Sequence, residues 1–206
     1  MIKIIDYKAG NAPSVAHSVK RLGYDCQLVN SGDQFKNATH IILPGVGSAE
    51  ATMQSLKDMG ILAKLEASVL KDKIPYLGIC VGMQVLFEHS AEGNVDCLGW
   101  LEGRVIKFDI AKVRVPQMGY NSVIFNKSHI TAKDQTDYYY FVNSFYAKPK
   151  NKADILGTTI YEKDIPFASA VNSGNIFGMQ FHVEKSGEAG LELINSFLKL
   201  NKGDFA

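Results

Sequence analysis

The shortages in this chain are more informative than its excesses. Cysteine occurs only at Cys26, Cys80 and Cys97. An odd number at wide spacing builds neither a disulfide framework nor a zinc-ligand pattern, and it fits a reducing compartment. Surplus charge is absent too. With 22 basic and 21 acidic side chains the net charge is +1, which gives no electrostatic reason to bind nucleic acid or a membrane surface. The densest basic run, Lys148-Pro149-Lys150-Asn151-Lys152, reads as a solvated loop, with a polyanion contact as the other reading. Long apolar runs are missing. Nothing approaches the ~18 residues of a membrane span, and the apolar part of the N-terminus is too short for a signal peptide. Internal repeats, low-complexity tracts and linkers are also lacking. These absences leave a soluble, cytoplasmic protein with residues 1–206 as one domain, able to bury roughly 70% of its unfolded surface.

The apolar pattern that is present alternates strand and helix. Ile2 to Tyr7 predicts a buried strand, and Gly10-Asn11-Ala12-Pro13 a turn with an Asn cap and a Pro in a helix's first turn. Val15, Val19 and Leu22 follow at helical spacing, Gly23 ends the helix, and Asp25 to Val29 is a second strand. His40 to Leu43 is a third strand, followed by a helix over Ala49 to Met59 with Met53 and Leu56 on one side. Another helix over Ile61 to Leu70 leads into a strand at Tyr76 to Ile79. Beyond Leu98 the texture changes to alternating stretches, Gly103 to Asp109, Asn121 to Phe125, Tyr138 to Tyr146 and Ile155 to Tyr161, which predict antiparallel strands. Within them Tyr138-Tyr139-Tyr140-Phe141-Val142 reads as strand and core rather than as a platform for stacking bases. Phe167 to Val171 and Ile176 to Phe181 form a hairpin across Asn172-Ser173-Gly174-Asn175, and Ser186 to Leu200 is a last helix with Leu191, Ile194 and Leu198 inward. The expected fold is α/β: a central, mostly parallel twisted sheet flanked by helices, with an added antiparallel region.

Three stretches carry chemistry. Gly78-Ile79-Cys80-Val81-Gly82, between a strand and a helix-like pattern that runs on through Leu86-Phe87-Glu88, has the Gly-x-nucleophile-x-Gly form of a nucleophile elbow. The glycines avoid collisions at so tight a turn, and the turn aims the sulfur at the start of the next helix, where thiolate is favoured. Taken alone, a buried structural cysteine explains the pattern equally well. Pro44-Gly45-Val46-Gly47-Ser48 joins strand to helix and presents backbone N–H groups, as half of an oxyanion hole or simply as a tight turn. Phe181-His182-Val183-Glu184 ends a strand. If the strand continues through it, His182 and Glu184 point to one side as base and orienting carboxylate, although each alone also reads as a structural histidine and a surface charge.

Together these segments supply nucleophile, oxyanion donors, base and orienter in the order Cys, His, Glu. At this point the chain resembles the triad, or class I, glutamine amidotransferases, and among them most of all the glutaminase subunits of imidazole glycerol phosphate synthases. The residues carrying the resemblance are Asp6-Tyr7 with Gly10-Asn11, Leu43-Pro44-Gly45-Val46-Gly47, Gly78-Ile79-Cys80-Val81-Gly82-Met83-Gln84 with Leu86-Phe87-Glu88, Val115-Pro116 with Met118-Gly119, and Gly178-Met179-Gln180-Phe181-His182 with Glu184-Lys185-Ser186-Gly187-Glu188-Ala189-Gly190-Leu191.

The resemblance implies that Cys80 attacks L-glutamine with His182 as base and Glu184 as orienter, and that N–H groups of Val81 and of the Gly45, Val46, Gly47 loop hold the oxyanion. It implies that Gln84, Ser144 and Phe145 hold the substrate, that Lys185 faces a partner, and that no metal or organic cofactor is needed. Ammonia would pass to a separate (β/α)8 cyclase/synthase subunit, forming a heterodimer, and react there with a phosphoribulosyl-formimino-aminoimidazole-carboxamide ribotide in histidine biosynthesis. A paralogous role remains open, in which the ammonia feeds another acceptor enzyme such as a sugar amidotransferase of surface polysaccharide synthesis. The departures from the usual pattern are Gln117 and Tyr120 where His and Trp are common, Asn143 for a His, Val183 for a Pro, and Lys8-Ala9 in a loop otherwise richer in glycine.

Overall fold

Four consecutive buried residues, Ile2–Ile5, form β1, the burial expected of a strand covered on both faces. In this computed structural model, which describes residues 1–8, 11–132, 134–162 and 165–205, α1 (Ala12–Arg21) and β2 (Cys26–Val29) follow, with β2 parallel to β1. Ala9 and Gly10, in the turn expected after the first strand, lie outside the described residues. β3 (His40–Gly45), α2 (Ala49–Asp58), α3 (Leu62–Glu66) and β4 (Tyr76–Cys80) repeat the strand-helix alternation. The helix expected over Ile61 to Leu70 is α3 prolonged by one wide π turn, Ala67–Lys71. The turn opens where the buried Asn175 side chain inserts, donating from Nδ2 to the Val69 and Ile74 carbonyls at 2.9 and 2.8 Å.

After the elbow the chain departs from its helical pattern. α4 (Val81–Gln84) is a single turn, and Phe87–Ser90 is β5. Val85, Leu86 and Phe87 are all 0% exposed. An apolar run buried on every side has no periodicity to separate helix from strand, and here Leu86 accepts from the Leu101 N–H at 3.0 Å, which draws the chain into the sheet. β6 (Val95–Asp96), β7 (Leu101–Lys107), β8 (Gln117–Phe125), β9 (Thr136–Asn143), β10 (Phe145–Pro149), β11 (Ile155–Tyr161), β12 (Ile165–Ser173) and β13 (Ile176–Met179) come next. The single strand expected over Tyr138 to Tyr146 breaks at Ser144 into β9 and β10. Within β9 only alternate residues are core: Tyr139 and Phe141 are fully buried, whereas Tyr138 is 66% exposed. α5 (Gly187–Leu198) buries Leu193, Ile194, Phe197 and Leu198. Leu191, expected inward, is half-buried because the helical stripe passes through 190, 193, 194 and 197 instead.

The sheet runs β2-β1-β3-β4-β13-β12-β10-β7-β5-β6, with β11, β8 and β9 branching from β12. Its first five strands are parallel. β13 is the seam, parallel to β4 on one side and antiparallel to β12 on the other. β4 ends at Cys80 and β13 ends just before His182, so adjacent strands deliver both side chains to the carboxyl end of the parallel half, where α/β sheets place their sites.

Candidate active site

The elbow geometry follows from its glycines. Cys80 has φ +55° and ψ −109°, a strained combination for a side-chain-bearing residue that persists only where the surroundings enforce it. A Cβ on Gly78 would lie 2.2 Å from the Gly82 carbonyl oxygen, and one on Gly82 would lie 1.9 Å from that of Leu43 on β3. Neither position accepts a side chain, so the turn can close only as Gly-x-Cys-x-Gly. The sulfur is presented at a cleft of about 330 Å³ lined by Cys80, Val81, Gln84, His182 and residues named below. Since α4 is one turn long, its dipole is small, and the main cationic partner available to a thiolate is His182.

The strand does not continue through Phe181-His182-Val183-Glu184. Val183–Lys185 is a 3-10 turn instead, and that turn folds the carboxylate back so that Glu184 Oε1 meets His182 Nδ1 at 2.8 Å. The expected pairing is present, delivered by a turn and not by strand alternation. Both side chains are buried, at 3% and 0% exposure. Burial acts to lower the imidazole's pKa, but hydrogen bonds to Cys80 and Glu184, together with their charges, outweigh it and push it up to about 10. With Nδ1–H donated to Glu184, Nε2 is left for the Cys80 proton. A buried cysteine, an imidazole that holds its proton through neutral pH and a buried carboxylate constitute a nucleophile with its base and orienter in place.

The substrate end of the cleft is organised by two glutamines. Gln84 donates from Nε2 to the Phe145 carbonyl at 3.1 Å and to Gln180 Oε1 at 3.0 Å, which leaves its buried Oε1 without a partner among the described residues. That oxygen is an acceptor awaiting an N–H. Gln180, fully buried, places Nε2 3.7 Å from Cys80 Sγ. Ser144 and Phe145 line the cleft, and the Phe145 carbonyl already accepts from Gln84 and from Asn143 Nδ2, the latter at 2.9 Å. Glu92 lines the cleft too, and its carboxylate accepts from the Ala49 N–H at 3.1 Å. Burial raises its pKa. Sequence reasoning assigned no role to Gln180 and did not single out Glu92; a lone Glu in a loop carries no local signal, and Gln180 stood within a quoted motif without one.

The Gly45-Val46-Gly47 loop packs against the elbow. Gly45 pairs with Cys80 in the sheet, and a Cβ on it would lie 2.7 Å from the Gly82 nitrogen. Behind the loop, the Tyr7 phenol accepts from Thr52 Oγ1 at 3.3 Å and interacts with the Val46 backbone; its pKa is raised, first by burial. Gln117 and Asn143 are directly opposed on β8 and β9, and both are buried. Tyr120 donates from its hydroxyl to the Lys185 carbonyl at 2.9 Å, and Lys185 lines the cleft from an exposed position. Lys148, Lys150 and Lys152 are exposed, as a solvated run should be. Among the described residues no three or more His, Cys, Asp or Glu side chains cluster as metal ligands, and no helix is long and apolar enough to cross a membrane.

The family model for "Glutamine amidotransferase class-I" matches residues 3–200. The chain is 39% identical over 202 residues to imidazole glycerol phosphate synthase subunit HisH 2 of Methanococcus maripaludis, covering 97% of this chain and 99% of that one. It is 42% identical over 207 residues to subunit HisH of Dehalococcoides mccartyi, covering 99% of each. In fold it is similar to a crystal structure of a glutamine amidotransferase (TM-score 0.78, 18% identity, 98% of each chain) and to the structure of PurLQS from Thermotoga maritima (TM-score 0.71, 20% identity, 96% of each). The chain belongs to the class-I glutamine amidotransferases, with HisH subunits of imidazole glycerol phosphate synthase as relatives along its whole length.

Proposed function

We propose that this chain is the glutaminase subunit of an imidazole glycerol phosphate synthase, hydrolysing glutamine and passing ammonia to a separate (β/α)8 synthase subunit in a cytoplasmic heterodimer. One observation carries the chemistry: a buried His182–Glu184 pair beside the strained Cys80 in a single cleft. The thiolate attacks the side-chain carbonyl carbon of glutamine. N–H groups of Val81 and of the Gly45–Gly47 loop receive the developing oxyanion. Collapse breaks the C–N bond, and His182 Nε2 gives its proton to the leaving ammonia. Water then attacks the γ-glutamyl thioester, His182 takes its proton, and glutamate leaves with the thiolate restored. Gln84 Oε1 accepts an N–H of the bound glutamine, and the Glu92 carboxylate suits its α-ammonium.

A partner is supported by the surface around the cleft. On β8 and β9, Met118, Tyr120 and Tyr138 are 65%, 60% and 66% exposed, an apolar rim beside Lys185 of the kind that marks an interaction surface. The relatives' names describe subunits. The test is glutamate release from glutamine by the purified chain, alone and then with a barrel synthase subunit and its acceptor ribotide. Strong stimulation is expected. Full turnover by the chain alone would overturn the coupled reading in favour of a free-standing hydrolase. Silence with that partner, while a glutamine-analogue affinity label still modifies Cys80, would redirect the ammonia to a different acceptor enzyme.

A further inference from the structure

Asn11 begins α1, yet its side chain makes no capping bond to the helix. Its backbone starts the helix instead, the carbonyl accepting from the Ser14 and Val15 N–H groups at 2.9 and 3.1 Å. The freed carboxamide turns to the triad and donates from Nδ2 to Glu184 Oε1, the same oxygen that His182 Nδ1 meets at 2.8 Å. Nδ2 and Nδ1 stand 3.5 Å apart. Each can direct a hydrogen at Oε1, so two donors converge on one carboxylate oxygen, while Oε2 has no partner among the described residues.

The Glu184 side chain is 0% exposed, and a carboxylate there is strongly disfavoured unless hydrogen bonded. The imidazole alone offers one contact, about which the carboxylate can rotate. A second donor from another element fixes it. An amide suits this because it is neutral: it holds the carboxylate without offsetting the charge that acts on His182. Asn11 is itself well rooted, with Ala12 and Val15 buried and Pro13 restricting the first turn of α1.

We propose that Asn11 is a positioning residue for the triad, its carboxamide holding Glu184 in the orientation that keeps His182 Nδ1 bonded to the carboxylate and Nε2 turned toward Cys80. The groups facing His182 are Cys80 from the elbow, Glu184 from its own turn and neutral Asn11 from the start of α1; Tyr7 feels the charge of Cys80, and exposed Lys185 lines the same cleft. The assignment rests on the glutaminase reading only for what the thiolate does next, because the ion pair can be read without substrate.

The experiment is the pH dependence of Cys80 alkylation by iodoacetamide, followed by mass of the Cys80 peptide so that Cys26 and Cys97 do not interfere, in wild type, Asn11→Ala, Asn11→Ser and Asn11→Leu, each with a thermal melt. In Asn11→Ala the midpoint moves up by about one pH unit, roughly tenfold less thiolate on the acid side, and Asn11→Ser, which keeps a shorter donor, restores part of it. Coincident profiles for wild type and a folded Asn11→Ala overturn the proposal. If Asn11→Ala does not fold, the near-isosteric and neutral Asn11→Leu decides: with the donor gone and no charge added the midpoint rises, and a wild-type midpoint refutes the role. Failure of the wild type to hydrolyse glutamine with any partner would sink the glutaminase reading and leave the alkylation profiles to judge Asn11 on their own.

Discussion

Gly82 lies so close to Leu43 that a Cβ on the glycine would sit 1.9 Å from the leucine's carbonyl oxygen. The obstacle is backbone of a central strand and cannot rotate away. Gly82→Ala is therefore expected to destabilise the protein by roughly 3 kcal/mol or more, seen as a lower denaturation midpoint or as insoluble protein. A variant melting with the wild type would show that β3 and the elbow are not locked together.

Replacing the nucleophile should separate chemistry from folding. Cys80→Ala removes a buried side chain of modest size and is expected to change stability by no more than about 1 kcal/mol, while glutamate release falls by about a thousandfold or more. Co-purification with the synthase subunit should survive. Substantial residual turnover would end the case for nucleophilic catalysis by Cys80.

The imidazole makes the site pH-dependent in a defined direction. Its pKa in the folded protein, about 10, lies above the ordinary 6.5. A raised pKa favours folding fully at pH below about 6.5, and that contribution is lost as pH climbs through about 10. The same ordering puts the alkaline limb of kcat/KM late. Glu184→Gln deletes one of the two charges that outweigh burial, so the alkaline limb should fall by about one to two pH units and denaturant stability should lose part of its decline between neutral and alkaline pH. An unmoved limb would mean that the carboxylate does not govern the imidazole.

Glu92→Gln keeps an acceptor for the Ala49 N–H but removes the charge facing the substrate end of the cleft. The expected result is a KM for glutamine about tenfold higher, the worth of a charge-assisted hydrogen bond, with kcat little changed. Equal KM values would remove Glu92 from substrate recognition.

Lys185→Ala leaves the triad in place and is expected to weaken the synthase subunit's stimulation by about tenfold in half-saturating concentration. Unchanged affinity and unchanged stimulation would take Lys185 out of the interface.

What could be read in the linear chain follows from how local each constraint is. The elbow is written in five consecutive residues because its steric demand is local, and so Cys80 stood out. His182 and Glu184 were found as a pair, although the turn joining them was not, since Val183 fits a strand as well as it fits a 3-10 turn. Asn11 matched the family pattern and also fitted an ordinary helix cap. Its side chain is diverted by Glu184, 173 positions away, and no sequence window reaches that far. The run Val85, Leu86 and Phe87 reads as helix although it leads into β5, because it is buried on all sides and burial without alternation has no period to read.

The β13 seam also orders events in time. Cys80 leaves the ribosome long before His182, and β13 cannot pair with β4 until Ile176–Met179 has emerged. A nascent chain thus carries its thiol for most of synthesis with no base beside it. Because the base stands just past β13, the last strand in chain order among the described residues, the triad is complete only when this late segment has docked beside β4.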